Sequence, residues 1–323
     1  MTTLDLHIGL HKTGTTSLQS LFAANDGILK RFSIVYPRTG RKKNKHNLLA
    51  WSLRSVDDLS RLLAALHEEC SGSEHALVSC EEFSHAFLDG TVLEQFCRLA
   101  RERFHVRVII YLRRQDQLKE SVYSEVVRDW FCGSILDENH YEYDHLKRLN
   151  LLRAQIPKRD LIVRRHMSSG LEQDFVSIYG LVLANGFKVP PRKRLSPGRR
   201  LTAILGRLDK RETQFSARFL GYLGGLDIWE DDGVRYLLSP EQRRTFLRQY
   251  EQTNRELAEQ YFPELNGTLF EPTESGDTNW SPVSLPPEDE CQRLVRSLWD
   301  DYNKRSLEGT FRSEQLSDSA KAR

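Results

Sequence analysis

Apolar and polar positions alternate at the start of the chain, at Leu4, Leu6 and Ile8, and then switch to the i, i+3, i+4 spacing of Leu18, Leu21 and Phe22. The change of period predicts a strand followed by an amphipathic helix. Helical spacing returns over Leu48 to Trp51 and Leu59 to Leu66, after a polar, basic loop from Tyr36 to His46 (YPRTGRKKNKH) that has no periodicity. A short apolar run, His75 to Cys80, stops at Glu81 and Glu82, and a helix is predicted over Leu93 to Arg103. Val106 to Leu112 is a β-branched run of the kind buried inside a parallel sheet, and it ends in Arg113 and Arg114. A helix from Asp116 to Trp130, a loop and helix reaching Gln155, and a strand over Arg159 to Val163 complete the series. Strands alternating with helices imply a parallel, doubly wound sheet, on which ligands bind beyond the carboxyl ends of the strands.

From Phe187 to Arg200 the chain is basic and proline-rich, and beyond it the strand signal fades. Helices are predicted over Leu201 to Leu223, Glu241 to Tyr261 and Glu288 to Asn303, with Pro272 to Pro287 as loop. The first two start near Leu-Ser-Pro triplets, where serine caps and proline takes the first turn. The expected organisation is an α/β core over 1–190, a mainly helical C-terminal elaboration of the same domain over 191–305, and a disordered tail over 306–323.

Composition narrows the function classes. The 323 residues are 39% hydrophobic and 28% charged with a formal net charge of +2, so no bulk attraction to nucleic acid or anionic membrane is expected and any basic site is local. Met1 to His7 lacks the features of a signal peptide, and no run approaches the ~18 apolar residues of a spanning helix, which predicts a cytoplasmic protein without a transmembrane segment. Cys70, Cys80, Cys97, Cys132 and Cys291 are odd in number and lack C-x-x-C spacing, so reduced thiols are expected rather than a zinc site or disulfide framework.

The link between the first strand and helix carries the chemistry. His7-Ile8-Gly9-Leu10-His11-Lys12-Thr13-Gly14-Thr15-Thr16-Ser17 reads as a phosphate loop. N–H groups at a helix start, the positive end of its dipole, and the hydroxyls of Thr15, Thr16 and Ser17 all favour an anion. In the usual G-x-x-x-x-G-K-[ST] loop the lysine follows the second glycine, whereas here Lys12 precedes Gly14. A bare Gly/Thr loop would equally serve as a turn and helix cap, but the flanking strand and helix set this one apart. Downstream, Arg113 and Ser121 lie eight residues apart, so an arginine ending a strand and a serine on the next helix can face one anion from two sides. Alone, such a pair means nothing, because most surface arginines are simply solvated.

The Lys12-Thr13-Gly14-Thr15-Thr16 stretch closely resembles the 5′-phosphosulfate loop of sulfotransferases, enzymes that use 3′-phosphoadenosine 5′-phosphosulfate (PAPS). Arg113 with Ser121 resembles their 3′-phosphate element, which in the family usually begins Arg-Asn-Pro, where this chain has Arg113-Arg114-Gln115; the contact then falls to Arg113 or Arg114. Asn254 to Tyr261 looks like a late helix of bacterial members, and the similarity covers most of Leu4 to Leu269. The resemblance implies a P-loop-type sheet flanked by helices. It implies PAPS as sulfuryl donor with adenosine 3′,5′-bisphosphate as product, no metal, and cofactor contacts from Lys12, Thr13, Gly14, Thr15, Thr16, Ser17, Arg113 and Ser121. Lys12 would follow the bridging oxygen as the S–O bond breaks. Against these roles stand the blander ones of a solvated loop lysine and a helix-end cap.

The base has two candidates. Glu81 sits just past a strand end, where carbohydrate sulfotransferases carry a catalytic glutamate and small-molecule ones a histidine; its plainer role is a carboxylate on a helix dipole. His46, ending the basic loop, is the alternative, and its plainer role is an exposed loop histidine. Partial burial near phosphate charge is expected to raise the Glu81 pKa. The implied acceptor is a hydroxyl of a carbohydrate or glycolipid. By the same resemblance, Arg192 to Arg200 is expected to close over the 3′-phosphate. Two rivals stand: a P-loop small-molecule kinase using ATP, and a catalytically silent nucleotide-binding module. A kinase commonly ends its core strand in an aspartate for magnesium, whereas the two arginines here favour an extra phosphate on the ligand.

Overall fold

The computed structural model describes residues 1–183, 186–191, 198–208, 216–226, 234, 236–271 and 280–307. Residues 192–197 of the basic stretch, and the expected tail from 308 onward, lie outside the described residues.

The strands β1 (Thr3–His7), β2 (Ile34–Val35), β3 (His75–Ser79), β4 (His105–Leu112) and β5 (Leu161–Arg165) form one all-parallel sheet in the order β2-β3-β1-β4-β5. The fold is thus α/β, a parallel sheet flanked by helices with a helical C-terminal part. Parallel neighbours cannot be joined by a tight turn; helices Val56–Glu69 and Gly90–Arg101 fill the crossovers into β3 and β4. β1 is central, with Leu6 opposite Val78 on one side and Val108 on the other. The chain steps outward to β2 and β3 on one side of β1 and to β4 and β5 on the other. The strand order therefore reverses at the carboxyl end of β1, where such sheets bind ligands.

The period-2 positions Leu4, Leu6 and Ile8 are fully buried, as alternation predicts for a covered strand. On one face, Leu77, Ile109 and Tyr111 pack with Leu18, Leu21 and Phe22 of helix Thr15–Ala24 and with Leu171, Phe175 and Val176 of helix Leu171–Ser177. Each such side chain contributes roughly 1.5–3 kcal/mol on burial. Within the sheet, Asp5 is buried but matched by Arg107 opposite it on β4 and by the Tyr179 hydroxyl, which donates at 3.0 Å. A buried carboxylate without such partners would be strongly destabilising.

The chain divides into two compact units. The first holds the sheet and comprises Met1–Leu118, Glu142–Leu195 and Arg248–Glu271. The second comprises Lys119–Tyr141, Ser196–Leu247 and Pro272–Arg323; its described core includes Tyr123, Val127, Leu205, Phe219, Leu223 and Val295. The pattern over Leu201 to Leu223 yields helices Arg199–Arg207 and Ala217–Gly224, with 209–215 outside the described residues. The continuous helix expected over Glu241 to Tyr261 is two, Pro240–Arg248 and Glu251–Tyr261. Each half buries residues in its own unit, Arg243 in the second and Leu257 with Ala258 in the first. Among the described residues no helix is long and apolar enough to cross a membrane.

Candidate functional site

Ile8 to Gly14 link β1 to helix Thr15–Ala24, and the backbone here is tightly constrained. Gly9 and Gly14 have φ of +26° and +80°. A Cβ on Gly9 would lie 2.2 Å from Thr15 Cγ2, and one on Gly14 2.3 Å from Leu171 Cδ2, so neither position accepts a side chain without the loop opening. Their spacing is that of a Walker loop, with Thr15 where its lysine would stand and Lys12 inside the turn. Lys12 itself has φ of 64°. A left-handed non-glycine residue costs roughly 1–2 kcal/mol, a strain typical of binding loops.

The helix that follows is capped by Gly14 with no side-chain hydrogen bond. The first N–H groups of a helix have no intrahelical acceptor, so this end suits an anion. Thr16 is exposed and Thr15 buried. Thr13 is turned to the loop's own upkeep: its hydroxyl donates to the Leu10 carbonyl at 2.7 Å and its N–H to the same oxygen at 3.3 Å. The Ser17 hydroxyl donates to Glu172 Oε1 at 2.6 Å, a carboxylate on helix Leu171–Ser177 that the sequence pattern does not single out.

β4 brings the first of the two arginines to this loop. Arg113 Nη1 donates to the Lys12 carbonyl at 2.6 Å, while the Arg113 carbonyl accepts from His145 Nε2 at 2.8 Å. Arg114 is committed elsewhere. It forks onto Asp116 at 2.7 and 2.9 Å and donates to the Glu271 carbonyl at 3.1 Å. Ser121 is half-buried on helix Gln115–Asp129 and belongs to the second unit.

Glu81 follows β3 and precedes the short helix Glu82–Ala86; it is 8% exposed. Lys45 donates to its Oε1, and Gln19 Nε2 to its Oε2 at 3.1 Å. Gln19 also donates to Ser79 Oγ at 3.2 Å, and Ser79 Oγ lies 2.9 Å from His7 Nδ1. Gln19 is on the helix leaving the glycine loop, so the carboxylate is hydrogen-bonded to that helix. Burial pushes the Glu81 pKa up, but the Lys45 charge and hydrogen bond, with help from the Glu81 N–H and Gln19, outweigh it. The carboxyl is held below its ordinary value, which reverses the expected direction. His7, buried beneath, is pushed down to about 4 by burial, against the pull of Glu81.

His46 is not the exposed loop histidine its neighbours suggest. Its ring is fully buried. The Ser79 N–H donates to Nδ1 at 3.1 Å, so Nε2 carries the proton and donates to the Pro37 carbonyl at 3.0 Å. Burial lowers its pKa to about 3. With both nitrogens used by backbone, the imidazole has no lone pair for an acceptor hydroxyl. It serves as the post that pins the basic loop to β3.

The geometry therefore unites Lys12, Gly14, Thr15, Thr16, Ser17, Arg113 and Glu81 around the carboxyl ends of β1, β3 and β4. Lys45, Gln19 and Glu172 join them from separations that leave no local signal in sequence. The cluster holds three cationic residues, Lys12, Arg113 and Lys45, and two carboxylates, the buried Glu81 and the half-buried Glu172.

No family model and no solved structure matches the chain. A protein of Archaeoglobus fulgidus described as uncharacterized is 26% identical over 167 residues, covering 48% of this chain. The match spans about half of that relative, 46% of its length.

Proposed function

We propose that this chain is a PAPS-dependent sulfotransferase that transfers a sulfuryl group to a hydroxyl of a carbohydrate or glycolipid in the cytoplasm. The observation that carries the reading is the Arg113 hydrogen bond to the Lys12 carbonyl, which sets a guanidinium beside a phosphate loop whose lysine lies inside the turn. The backbone fits such a ligand: the glycines leave no room for a Cβ, and no side chain caps the helix start. PAPS supplies the activated sulfuryl group and leaves as the bisphosphate.

The remaining chemistry falls to the chain's own residues. The helix start, with Thr15, Thr16 and Ser17, holds the 5′-phosphate; Ser17 does so on release from Glu172. Arg113 holds the 3′-phosphate, and Arg114 keeps its structural fork on Asp116. Lys12 places its ammonium where charge develops on the leaving oxygen. Glu81 takes the proton of the acceptor hydroxyl, which requires Lys45 to give up its hold. The carbohydrate preference rests on Glu81 standing where carbohydrate sulfotransferases have their glutamate.

Arg113→Ala is expected to weaken bisphosphate binding by about 2–3 kcal/mol, the scale of a charge-assisted contact. Arg114→Ala should instead lower thermal stability with little change in binding. Calorimetry and melting of both variants check this, and the reverse pattern would reassign the 3′-phosphate to Arg114.

One observation favours a second reading. The Ser17–Glu172 pair places a hydroxyl and a carboxylate together at the loop, the two ligand types a P-loop kinase uses for magnesium, one residue beyond the Thr16 position that the Walker spacing gives to the hydroxyl. Titration separates the two. Adenosine 3′,5′-bisphosphate is expected to bind without metal and ATP poorly, because ATP has no 3′-phosphate for Arg113. Tight ATP binding that collapses on adding EDTA would establish the kinase. Bisphosphate binding without turnover on any acceptor would leave a silent nucleotide-binding module.

A further inference from the structure

We propose that the acceptor is an acidic carbohydrate, whose carboxylate or sulfate draws Lys45 away from Glu81 and so frees the base. The inference rests on the sulfotransferase reading for the identity of the reaction, and on the loop Tyr36–His46 for the identity of the acceptor.

That loop carries Arg38, Arg41, Lys42, Lys43 and Lys45 and no carboxylate of its own. A run of this kind is ordinarily a solvated tail, but here its backbone is built into the first unit. The Tyr36 hydroxyl donates to the Asn44 carbonyl at 2.5 Å, and Lys42 N–H to the Lys45 carbonyl at 2.7 Å. Leu48 and Leu49 N–H groups both reach the Gly40 carbonyl, at 3.0 and 3.3 Å, and His46 ties the end to β3. Glu69 accepts the N–H groups of Arg38 and Thr39 at 2.7 and 2.8 Å, so its charge braces the backbone. The fold thus orders the backbone of a loop that carries five cations within eight residues, a local basic segment that an anionic partner stabilises.

The surroundings suit a sugar. Arg38, Lys42 and Lys43 are exposed. The Lys42 ammonium lies 5.1 Å over the Trp51 ring, and Trp51 is 43% exposed. An exposed indole beside cations offers an apolar face for a sugar ring and charge for its acid groups.

Arg41 and Lys45 are the half-buried cations of this loop: Arg41 lies 4.9 Å over the buried Tyr36 ring, and Lys45 pairs with the carboxylate proposed as base. While that ion pair stands, the carboxylate is stabilised in its charged form and is a poor proton acceptor. An acidic group on the acceptor lets Lys45 exchange one ion pair for another at little net cost. A neutral sugar offers no such exchange. Acceptor charge would then be sensed at the base itself, which gives specificity through unmasking as well as through attraction.

The test is calorimetric titration, without nucleotide, of an oligogalacturonide and its carboxyl-reduced counterpart. The wild-type protein is expected to bind the acidic form about tenfold more tightly, the scale of one charge-assisted contact. Lys45→Gln should lose most of that difference. Glu81→Gln, which leaves Lys45 without its internal partner, should bind the acidic form more tightly than wild type and the reduced form unchanged, a direction that a merely structural role for the pair would not produce. Equal binding of both forms by the wild type would overturn the proposal. So would a preference that survives Lys45→Gln intact, or tighter binding to phosphatidylserine vesicles than to the oligogalacturonide. A parallel titration with adenosine 3′,5′-bisphosphate keeps the readings apart: its failure to bind would sink the sulfotransferase assignment, and an intact acid preference would still support the loop as an acidic-sugar site.

Discussion

Glu81→Gln is expected to cut turnover by about 10²–10⁴-fold, the usual contribution of a general base, with bisphosphate binding retained. Glutamine keeps the shape of a side chain that is 8% exposed and can still accept the hydrogen bond from Gln19. What it loses is basicity and the charge that pairs with Lys45. Glu82, one residue on and exposed, should tolerate the same change. The pH profile adds a second check. Because Lys45 holds the Glu81 carboxyl below its ordinary value, the acid limb of kcat/KM should fall below the usual glutamate range. Lys45→Gln removes the ammonium and leaves burial to act, so the limb should move up. Steady-state kinetics on purified acceptor fractions would measure both. Near-normal turnover in Glu81→Gln would end its role as base, and His46, neutral and bonded at both nitrogens, is not placed to inherit it.

Lys12→Met is expected to lower turnover by about 10²–10³-fold, the cost of removing one donor aimed at developing charge. Binding of the bisphosphate should suffer far less. The loop should survive the change, since Arg113 bonds to the Lys12 carbonyl rather than to its side chain. The split between turnover and binding is the informative result, because only an interaction stronger in the transition state than in the ground state accelerates the reaction. Equal losses in both would make Lys12 a holder of the ground-state anion, and unchanged turnover would return it to a solvated loop residue. Single-turnover kinetics set beside calorimetry would distinguish these cases.

How much of this is legible in the sequence depends on how local each signal is. β1, the glycine loop and helix Thr15–Ala24 write their periods and turn residues within about twenty positions, and β4 ends in the arginine its apolar run points to. β2 is two residues long and has no period to read. The helix Leu171–Ser177 offers only seven residues, yet Leu171 packs over Gly14 and Glu172 takes the Ser17 hydroxyl. Lys45 meets Glu81 across 36 residues, and Gln19 meets it across 62. Those long-range partners explain both reversals. A carboxylate expected to be raised by burial is held down by a distant ammonium, and a histidine weighed as a base or as an exposed loop residue is buried, with Pro37 and Ser79 engaging its two nitrogens.

The first unit is made of three separated pieces, and the last of them, Arg248–Glu271, fastens onto the strand ends. Asn254 exchanges two hydrogen bonds with the buried Gln115 amide, at 2.7 and 3.1 Å. The Leu269 and Glu271 carbonyls accept from Arg165 and Arg114. β1, the first strand of this sheet in chain order, cannot gain its second neighbour until β4 has been made, and these strand ends stay unfastened until residue 271 has followed. Long-range closure of this kind slows folding and keeps apolar strand edges open to wrong partners during synthesis. The sheet therefore completes its first strand last, and a fragment cut at 195 would carry the glycine loop without the clasp that finishes it.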